Sequence, residues 1–140
     1  MKDKFNCVNV KRCISPVSEA ANTALVGQII DKKGFEALTY LIATGSLADA
    51  DATFAVTLEE GDAANMSDAT TVAAADLLGT TALASFTFAA DDSCRKLGYI
   101  GNKRYTRLTI TPANNASAAL ISAVALLGEA QIEPTANPPV

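Results

Sequence analysis

Apolar and polar side chains alternate with a period of two along several short segments of this chain. In the segment 53–60, Phe54, Val56 and Leu58 alternate with threonine, alanine and glutamate. A period of two is typical of a strand that buries one face. Similar segments recur along the sequence with Gly, Asp, Asn or Pro between them. This pattern predicts an all-β fold, a jelly-roll-like β-sandwich of about eight short antiparallel strands.

The pattern predicts eight strands and one short helical turn. In the segment 83–88 we expect Phe86 and Phe88 to share one face, and a short helical turn is predicted over 73–78. The segments 94–100 and 104–111 are predicted to form a hairpin across 101–103. The predicted strands are 24–30, 35–44, 53–60, 66–72, 83–88, 94–100, 104–111 and 118–128.

The segment 118–128 is apolar at both alternating sets of positions. Leu120, Val124 and Leu126 form one set, and Ile121, Ala123 and Leu127 form the other. A strand buried on both sides or a buried helix would fit this pattern. We favour a strand, because Gly128 and Glu129 follow without helix-capping residues and the neighbouring segments are strands. Leu120, Val124 and Leu126 are therefore predicted to lie in the core or in an oligomer seam.

The two ends of the chain lack a periodic pattern. A length of 140 residues is typical of one domain, which we divide into an N-terminal arm over 1–16, a jelly-roll core over 17–130 and a Pro-rich tail over 131–140. Pro134, Pro138 and Pro139 exclude a helix or a central strand in the tail. We expect both ends to be extended, and either loose or pinned to a neighbour.

Composition and charge exclude several kinds of partner. The net charge of −4 argues against nonspecific nucleic-acid binding, which requires a strongly basic face. No apolar run approaches the roughly 20 residues of a membrane-spanning helix, so no membrane partner is expected. No apolar segment follows the charged N-terminus, and a signal peptide is therefore not expected.

Charges of one sign are grouped along the chain. The first 12 residues carry four cations and one acid, the segment 34–94 has no Lys or Arg, and the segment 95–128 has no Asp or Glu. These groups could form complementary patches on a repeated subunit, which would set partner choice and register. Alternatively, packing of the sheets could intermingle them into an ordinary mixed surface.

The sequence offers little catalytic chemistry. It contains no histidine, which excludes Ser–His and Cys–His nucleophile pairs. Glu59 and Glu60 are adjacent, and neighbouring residues of a strand point to opposite faces, so they cannot flank one bond. We therefore predict no catalytic residue and no enzyme activity.

Metal and cofactor sites are not predicted either. Asp49 and Asp51 suggest a calcium loop, but the glycine that such a loop needs at its sixth position is replaced by Phe54. The three cysteines cannot all pair, and we expect small, buried, unreactive thiols.

One run of residues resembles a known family. The sequence Gly-Tyr-Ile-Gly-Asn-Lys-Arg-Tyr-Thr-Arg-Leu at 98–108, with Gly-Phe-Glu upstream at 34–36, is similar to a pattern in small head proteins of tailed bacteriophages. The similarity extends over about 10–128. Within that group, the chain resembles the capsid cement (decoration) proteins, in particular the jelly-roll type found in a Bordetella podophage.

This resemblance implies a structural virion protein without enzymatic activity. It implies synthesis in the bacterial cytoplasm, a place on the outer surface of an HK97-like capsid, and contacts that cement neighbouring major capsid proteins and stabilise the particle. Self-association is expected, as a homodimer or alternatively a trimer. A head-fibre base or tail component is the alternative, and a carbohydrate-binding or carbohydrate-active β-sandwich is a more remote one, disfavoured by the absence of Trp.

Gly98 and Gly101 are expected to permit the tight hairpin, with Tyr99 and Tyr105 packed across it. Both arms are expected to contact the capsid or a sister subunit, and deletion of 1–12 would then weaken decoration without unfolding the protein. The residues expected to contact the capsid or another partner are Lys2, Lys4, Phe5, Lys11, Arg12, Arg95, Lys103, Arg104, Arg107, Pro138 and Pro139.

Overall fold

The computed structural model describes residues 2–140 and confirms the predicted β-sandwich, with two antiparallel sheets packed face to face. The strands are β1 (Asn9–Glu19), β2 (Leu25–Val26), β3 (Ile30–Asp31), β4 (Phe35–Leu47), β5 (Thr53–Gly61), β6 (Thr70–Thr71), β7 (Leu77–Leu78), β8 (Phe86–Thr87), β9 (Cys94–Tyr99), β10 (Tyr105–Ala113) and β11 (Ala119–Ala130). A 3-10 turn (Ala74–Asp76) and one short helix, α1 (Thr81–Ala84), complete the elements.

The strands form two sheets, which we call sheet A and sheet B. Sheet A has the order β1-β11-β4-β9-β7. Sheet B has the order β2-β10-β5-β6, with β3 also paired to β10 and β8 to β5. No helix within residues 2–140 combines the length and apolar character needed to cross a membrane.

The core lies between the two sheets and follows the predicted alternation. Phe54, Val56 and Leu58 of β5 are buried, while the residues between them are exposed. The Phe54 ring stacks on the ring of Phe86, with centroids 4.9 Å apart. Inward-facing residues of both sheets therefore form one continuous core.

Two buried tyrosines link the sheets by hydrogen bonds. The Tyr40 hydroxyl in β4 is 2.7 Å from the Thr106 hydroxyl in β10, and burial raises the pKa of Tyr40. The Tyr99 hydroxyl at the end of β9 donates to the Glu60 carboxylate of β5 at 2.5 Å. Because buried hydroxyl groups are costly without a partner, these bonds favour one alignment of the sheets.

The strand predicted over 118–128 is present as β11, which lies between β1 and β4. Its inner residues, including Ile121 and Ala123, are fully buried. The prediction that Leu120, Val124 and Leu126 lie in the core is wrong, because they project from the outer face of sheet A. Only the inner face of β11 meets the other sheet.

The predicted N-terminal arm is too long. Residues 9–16 belong to β1, which pairs with β11 from Asn9↔Leu127 to Glu19↔Ala119. Register irregularities between Arg12 and Ile14 and between Ile14 and Val17 interrupt the period of two, which is why the sequence shows no strand pattern there. Deletion of 1–12 would remove paired strand residues, so it would not leave the fold intact.

The tail is pinned to the N-terminal segment rather than loose. Thr135 donates from its backbone N–H to the Asn6 carbonyl at 2.9 Å and from its hydroxyl to the Val8 carbonyl at 2.6 Å. The Asn9 side chain donates to the Val140 carbonyl at 3.4 Å. We call residues 2–8 and 131–140 together the terminal clasp.

The predicted hairpin of β9 and β10 is wrong. β9 pairs with β4 and β7 in sheet A, whereas β10 pairs with β2, β3 and β5 in sheet B. The segment 100–104 therefore crosses from one sheet to the other. Strands β4 and β9 place buried side chains opposite each other, since Leu38 lies opposite Tyr99 and Tyr40 lies opposite Leu97. Tyr99 and Tyr105 consequently lie in different sheets.

Two other predicted strands are broken by local contacts. The segment 24–30 divides into β2 and β3 at Gly27, whose N–H donates to the Leu108 carbonyl at 2.8 Å. The segment 83–88 begins in helix α1, because the Thr80 hydroxyl accepts a hydrogen bond from the Leu83 N–H. Phe86 is buried but Phe88 is 41% exposed, so they do not share a face.

Candidate docking surface

The outer face of sheet B has the polar character expected of a solvated sheet. Thr57 lies opposite Thr109 and Glu59 lies opposite Arg107, so threonines and an ion pair occupy the outward positions of β5 and β10. The Arg107 guanidinium contacts the Glu59 carboxylate at 2.7 Å. One apolar side chain, Val26 of β2, is 57% exposed on this face, opposite the outward Thr109.

The outer face of sheet A is different, because leucine and valine occupy its exposed positions. Leu78 is 58% exposed, Leu120 44%, Val10 41%, Leu41 38% and Val124 37%. We define the apolar face by these five residues together with the half-buried Leu126. Contiguous exposed apolar surface of this kind marks an interaction site in soluble proteins.

The strand register makes these residues neighbours. Val124 of β11 lies opposite Leu41 of β4, so the two side chains form a cross-strand pair at the centre of the face. One pair further along, Leu126 lies opposite Val10 of β1. Leu78 of β7 lies opposite Gly98 and extends the apolar face to the far edge of the sheet.

Small residues leave grooves between the larger side chains. Ser122 lies opposite Ala43, and Ala43 lies opposite the exposed Cys94. At Gly98, an added Cβ would lie 2.8 Å from the Leu78 Cβ, so the glycine lets β7 approach β9 closely. Gly98 thus serves close packing rather than a tight turn.

Two cations flank the apolar face. Arg12 lies opposite Val124, and Lys96 lies opposite Leu41, so one cross-strand row reads Arg12, Val124, Leu41, Lys96. Both cations are exposed, and neither makes an ion pair with any described residue. Among the described residues, no Asp or Glu lines the grooves of this face.

The cations predicted at the β9–β10 connection are already paired. Lys103 contacts Asp62 at 2.5 Å, Arg104 contacts Asp31 at 2.8 Å, and Arg107 contacts Glu59. The hydrogen bond to Arg104 is the main reason that the pKa of Asp31 is lowered. Sheet packing thus intermingles the charges here, and these three residues form no separate basic patch.

The other predicted contact residues are spread over the molecule. Arg95 donates to the Leu83 carbonyl at 3.0 Å and holds α1 against β9. Arg12 lies beside the apolar face, and Lys11 is half-buried on β1. The exposed residues of the terminal clasp include Lys2, Lys4, Phe5, Pro138 and Pro139.

The surroundings of Asp49 and Cys13 indicate a role in the fold rather than in chemistry. Asp49 accepts hydrogen bonds from the backbone N–H groups of Ala116 and Asp51, which lower its pKa. Burial raises the pKa of the Cys13 thiol to about 12, which makes it unreactive. The prediction of buried thiols is confirmed for Cys13 but is wrong for Cys94, which is exposed, and Cys7 is half-buried. Within residues 2–140, no group of three or more His, Cys, Asp or Glu side chains is placed to hold a metal ion.

Sequence reasoning found half of the apolar face and missed the rest. It singled out Leu120, Val124 and Leu126 but not Val10, Leu41 or Leu78. The signal for Leu41 was present, because it lies between the inward residues Tyr40 and Ile42 and is apolar at an outward position. The strand order that brings Leu41 beside Val124 could not be obtained from the pattern of one chain.

Known structures share the fold at low sequence identity. The PBSX exported protein XepA superposes with a TM-score of 0.55 at 15% identity, over 91% of this chain and 39% of its own. The CBM22-1 and GH10 modules of a Clostridium thermocellum xylanase follow at a TM-score of 0.46 and 13% identity, over 95% of this chain and 28% of theirs.

The CBM36-1 domain of a xylanase from the hindgut metagenome of Trinervitermes trinervoides has a TM-score of 0.43 at 10% identity, over 89% of this chain and 99% of its own. No protein-family model matches the chain, and no curated protein matches it significantly. The structural likeness establishes a β-sandwich fold, and this chain spans about two fifths of XepA.

Proposed function

We propose that this chain is a non-enzymatic structural protein of a bacteriophage virion, which binds the outside of an HK97-like capsid and cements neighbouring major capsid proteins. The observation that carries the proposal is the apolar face of sheet A. Leu41 and Val124 are exposed at its centre, in strands flanked on both sides by others. Such a face gains free energy when a partner covers it.

The identity of the partner follows from the family resemblance. The run at 98–108 is similar to small head proteins of tailed phages, and a capsid offers many identical copies of one surface. Each subunit can then bind weakly, because simultaneous contacts to neighbouring capsid proteins add avidity.

The terminal clasp supplies a second surface for contacts. Phe5 is 66% exposed, Ile132 84% and Val140 87%. The two segments of the clasp are joined by the bonds of Thr135 to Asn6 and Val8, which reduces the ordering needed at docking. We propose that a homodimer uses this region and leaves the apolar face for the capsid.

A carbohydrate-binding function would require exposed aromatic rings on which sugars could stack. Tyr40 and Tyr99 are buried, and the half-buried Tyr105 ring has the Arg104 guanidinium 4.9 Å from its centroid. The exposed rings of Phe5 and Phe88 lie outside the strands, in segments far apart in the sequence. The arrangement of the aromatic residues therefore favours the protein-docking function.

The test is to add the purified chain to expanded HK97-like capsids prepared without it, and in parallel to insoluble xylan. We expect saturable binding to capsids, regular density on the outer shell by cryo-electron microscopy, and greater resistance of the particles to heat. Binding to xylan but not to capsids would overturn the proposal. Density confined to a unique vertex or to the tail would instead support a fibre base or tail component.

A further inference from the structure

From the charges beside the apolar face we infer that its occupant is a protein surface with an apolar centre flanked by carboxylates on two sides, and not a second copy of this chain. The inference rests on the proposed function, since it describes the capsid surface that the chain would recognise. It concerns the row Arg12, Val124, Leu41, Lys96.

The geometry of this row sets the spacing of the partner's charges. Arg12 and Lys96 are separated by the strands β11 and β4, which gives three intervals between neighbouring strands. At about 4.8 Å for each interval, the two cations lie about 14 Å apart at their Cα atoms. Two carboxylates of the partner, at a similar separation and on either side of an apolar strip, would complement both cations.

Charge also argues against a second copy on this face. Two identical faces can pack against each other only about a two-fold axis that lies in the plane of the contact. With the axis along the strands and centred on the row, Lys96 would face the Arg12 of the other copy. With the axis across the strands, Arg12 would face Arg12. Either aligned packing buries like charges against each other, which is costly.

The cations have no internal role that would otherwise explain them. Arg12 donates to the Ser15 hydroxyl at 2.6 Å, which leaves its charge without a counterion among the described residues. Lys96 makes no side-chain hydrogen bond to a described residue and lies beside the apolar grooves. In contrast, Lys103, Arg104 and Arg107 each have an acidic partner.

The test compares three charge reversals, each of which changes the net charge equally. Arg12→Glu and Lys96→Glu lie beside the apolar face. Lys103→Glu is the matched control, since Lys103 is an exposed cation that lies away from both this face and the terminal clasp and pairs with Asp62. In low salt, we expect the first two variants to bind capsids about tenfold or more weakly than the wild-type chain, and the control to bind normally. The difference should shrink at high salt.

Equal binding by all three variants and the wild-type chain would overturn the inference while the proposed function stands. Failure of the wild-type chain to bind capsids would overturn the proposed function instead. Sedimentation equilibrium of the folded Val124→Asp variant tests, without capsids, whether two copies of the chain pack through the apolar face. We expect its oligomeric state to equal that of the wild-type chain, and a change of state would overturn the inference.

Discussion

Tyr99 lies at the point where the chain passes from sheet A to sheet B. Its hydroxyl donates to Glu60 and accepts a hydrogen bond from the Lys103 N–H at 3.0 Å, so one atom satisfies groups on both sides of the crossing. Gly101 packs directly on the ring, and an added Cβ would lie 2.5 Å from the Tyr99 hydroxyl oxygen. Tyr99, Gly101 and Lys103 therefore specify a sheet-to-sheet corner.

Tyr99→Phe should lower the free energy of unfolding by about 1–3 kcal/mol, because it leaves the Glu60 carboxylate and the Lys103 N–H without their partner. Urea denaturation followed by circular dichroism measures this change. Tyr105→Phe is the control, since the Tyr105 hydroxyl makes no hydrogen bond to a described residue and the Arg104 guanidinium lies 4.9 Å from its ring centroid. Equal losses in the two variants would contradict the role of the Tyr99 hydroxyl.

Asp49 provides a test of pH dependence at a single residue. Its pKa is lowered in the folded protein by the Ala116 and Asp51 N–H groups, so its ionised form stabilises the fold above the ordinary value of 3.8. That contribution is lost as the pH falls through the lowered pKa. Asp49→Ala should therefore melt at a lower temperature than the wild-type chain at pH 7, with the gap closing towards pH 2.

The control for this measurement is Asp51→Ala, because the Asp51 carboxylate accepts no hydrogen bond from a described residue and is exposed. Its melting temperature should follow that of the wild-type chain at every pH. If the difference in melting temperature between Asp49→Ala and the wild-type chain stays constant from pH 7 to pH 2, the stabilisation by Asp49 does not depend on ionisation of its carboxylate.

At the scale of elements, the terminal clasp joins the two ends of the chain through one threonine. Thr135→Val removes the hydroxyl that donates to the Val8 carbonyl at 2.6 Å. The backbone bond from the Thr135 N–H to the Asn6 carbonyl remains, so we expect residues 2–8 to be held less tightly rather than released. Trypsin should then cleave after Lys4 several times faster, while the melting temperature changes little. Mass spectrometry of timed digests measures the cleavage.

Thr57→Val is the matched control for the clasp, since Thr57 is an exposed strand residue whose side chain has no hydrogen bond to a described residue. It should leave the cleavage rate after Lys4 unchanged. An equal rate for Thr135→Val and the wild-type chain would mean that the clasp is held by other contacts.

The elements also show where reasoning from the sequence succeeds. The regular alternation of β5 and the apolar β11 were predicted, because burial leaves a direct pattern in the chain. Strand β1 was missed because its register irregularities displace that pattern. The partners of β9 and β10 were wrong, since a short Gly-containing connection suits a hairpin or a corner equally, and the pairing depends on β4 and β5 far away in sequence.

At the scale of the whole molecule, the two outer faces have opposite character. Sheet B presents threonines and a paired Arg107, whereas sheet A presents leucine and valine between two unpaired cations. The sequence predicted a docking surface built from the chain ends and the β9–β10 cations. The structure pairs Lys103, Arg104 and Arg107 with acids and leaves the apolar face of sheet A uncovered.

The most direct test of this account compares an aspartate on each outer face. Val124→Asp places a charge at the centre of the apolar face, and Thr111→Asp places one at an exposed outward position of sheet B. Capsid binding by each folded variant is measured by co-sedimentation with capsids that lack the protein. We predict that Val124→Asp no longer binds, whereas Thr111→Asp binds like the wild-type chain. Normal binding by Val124→Asp would contradict the assignment of the apolar face as the docking surface.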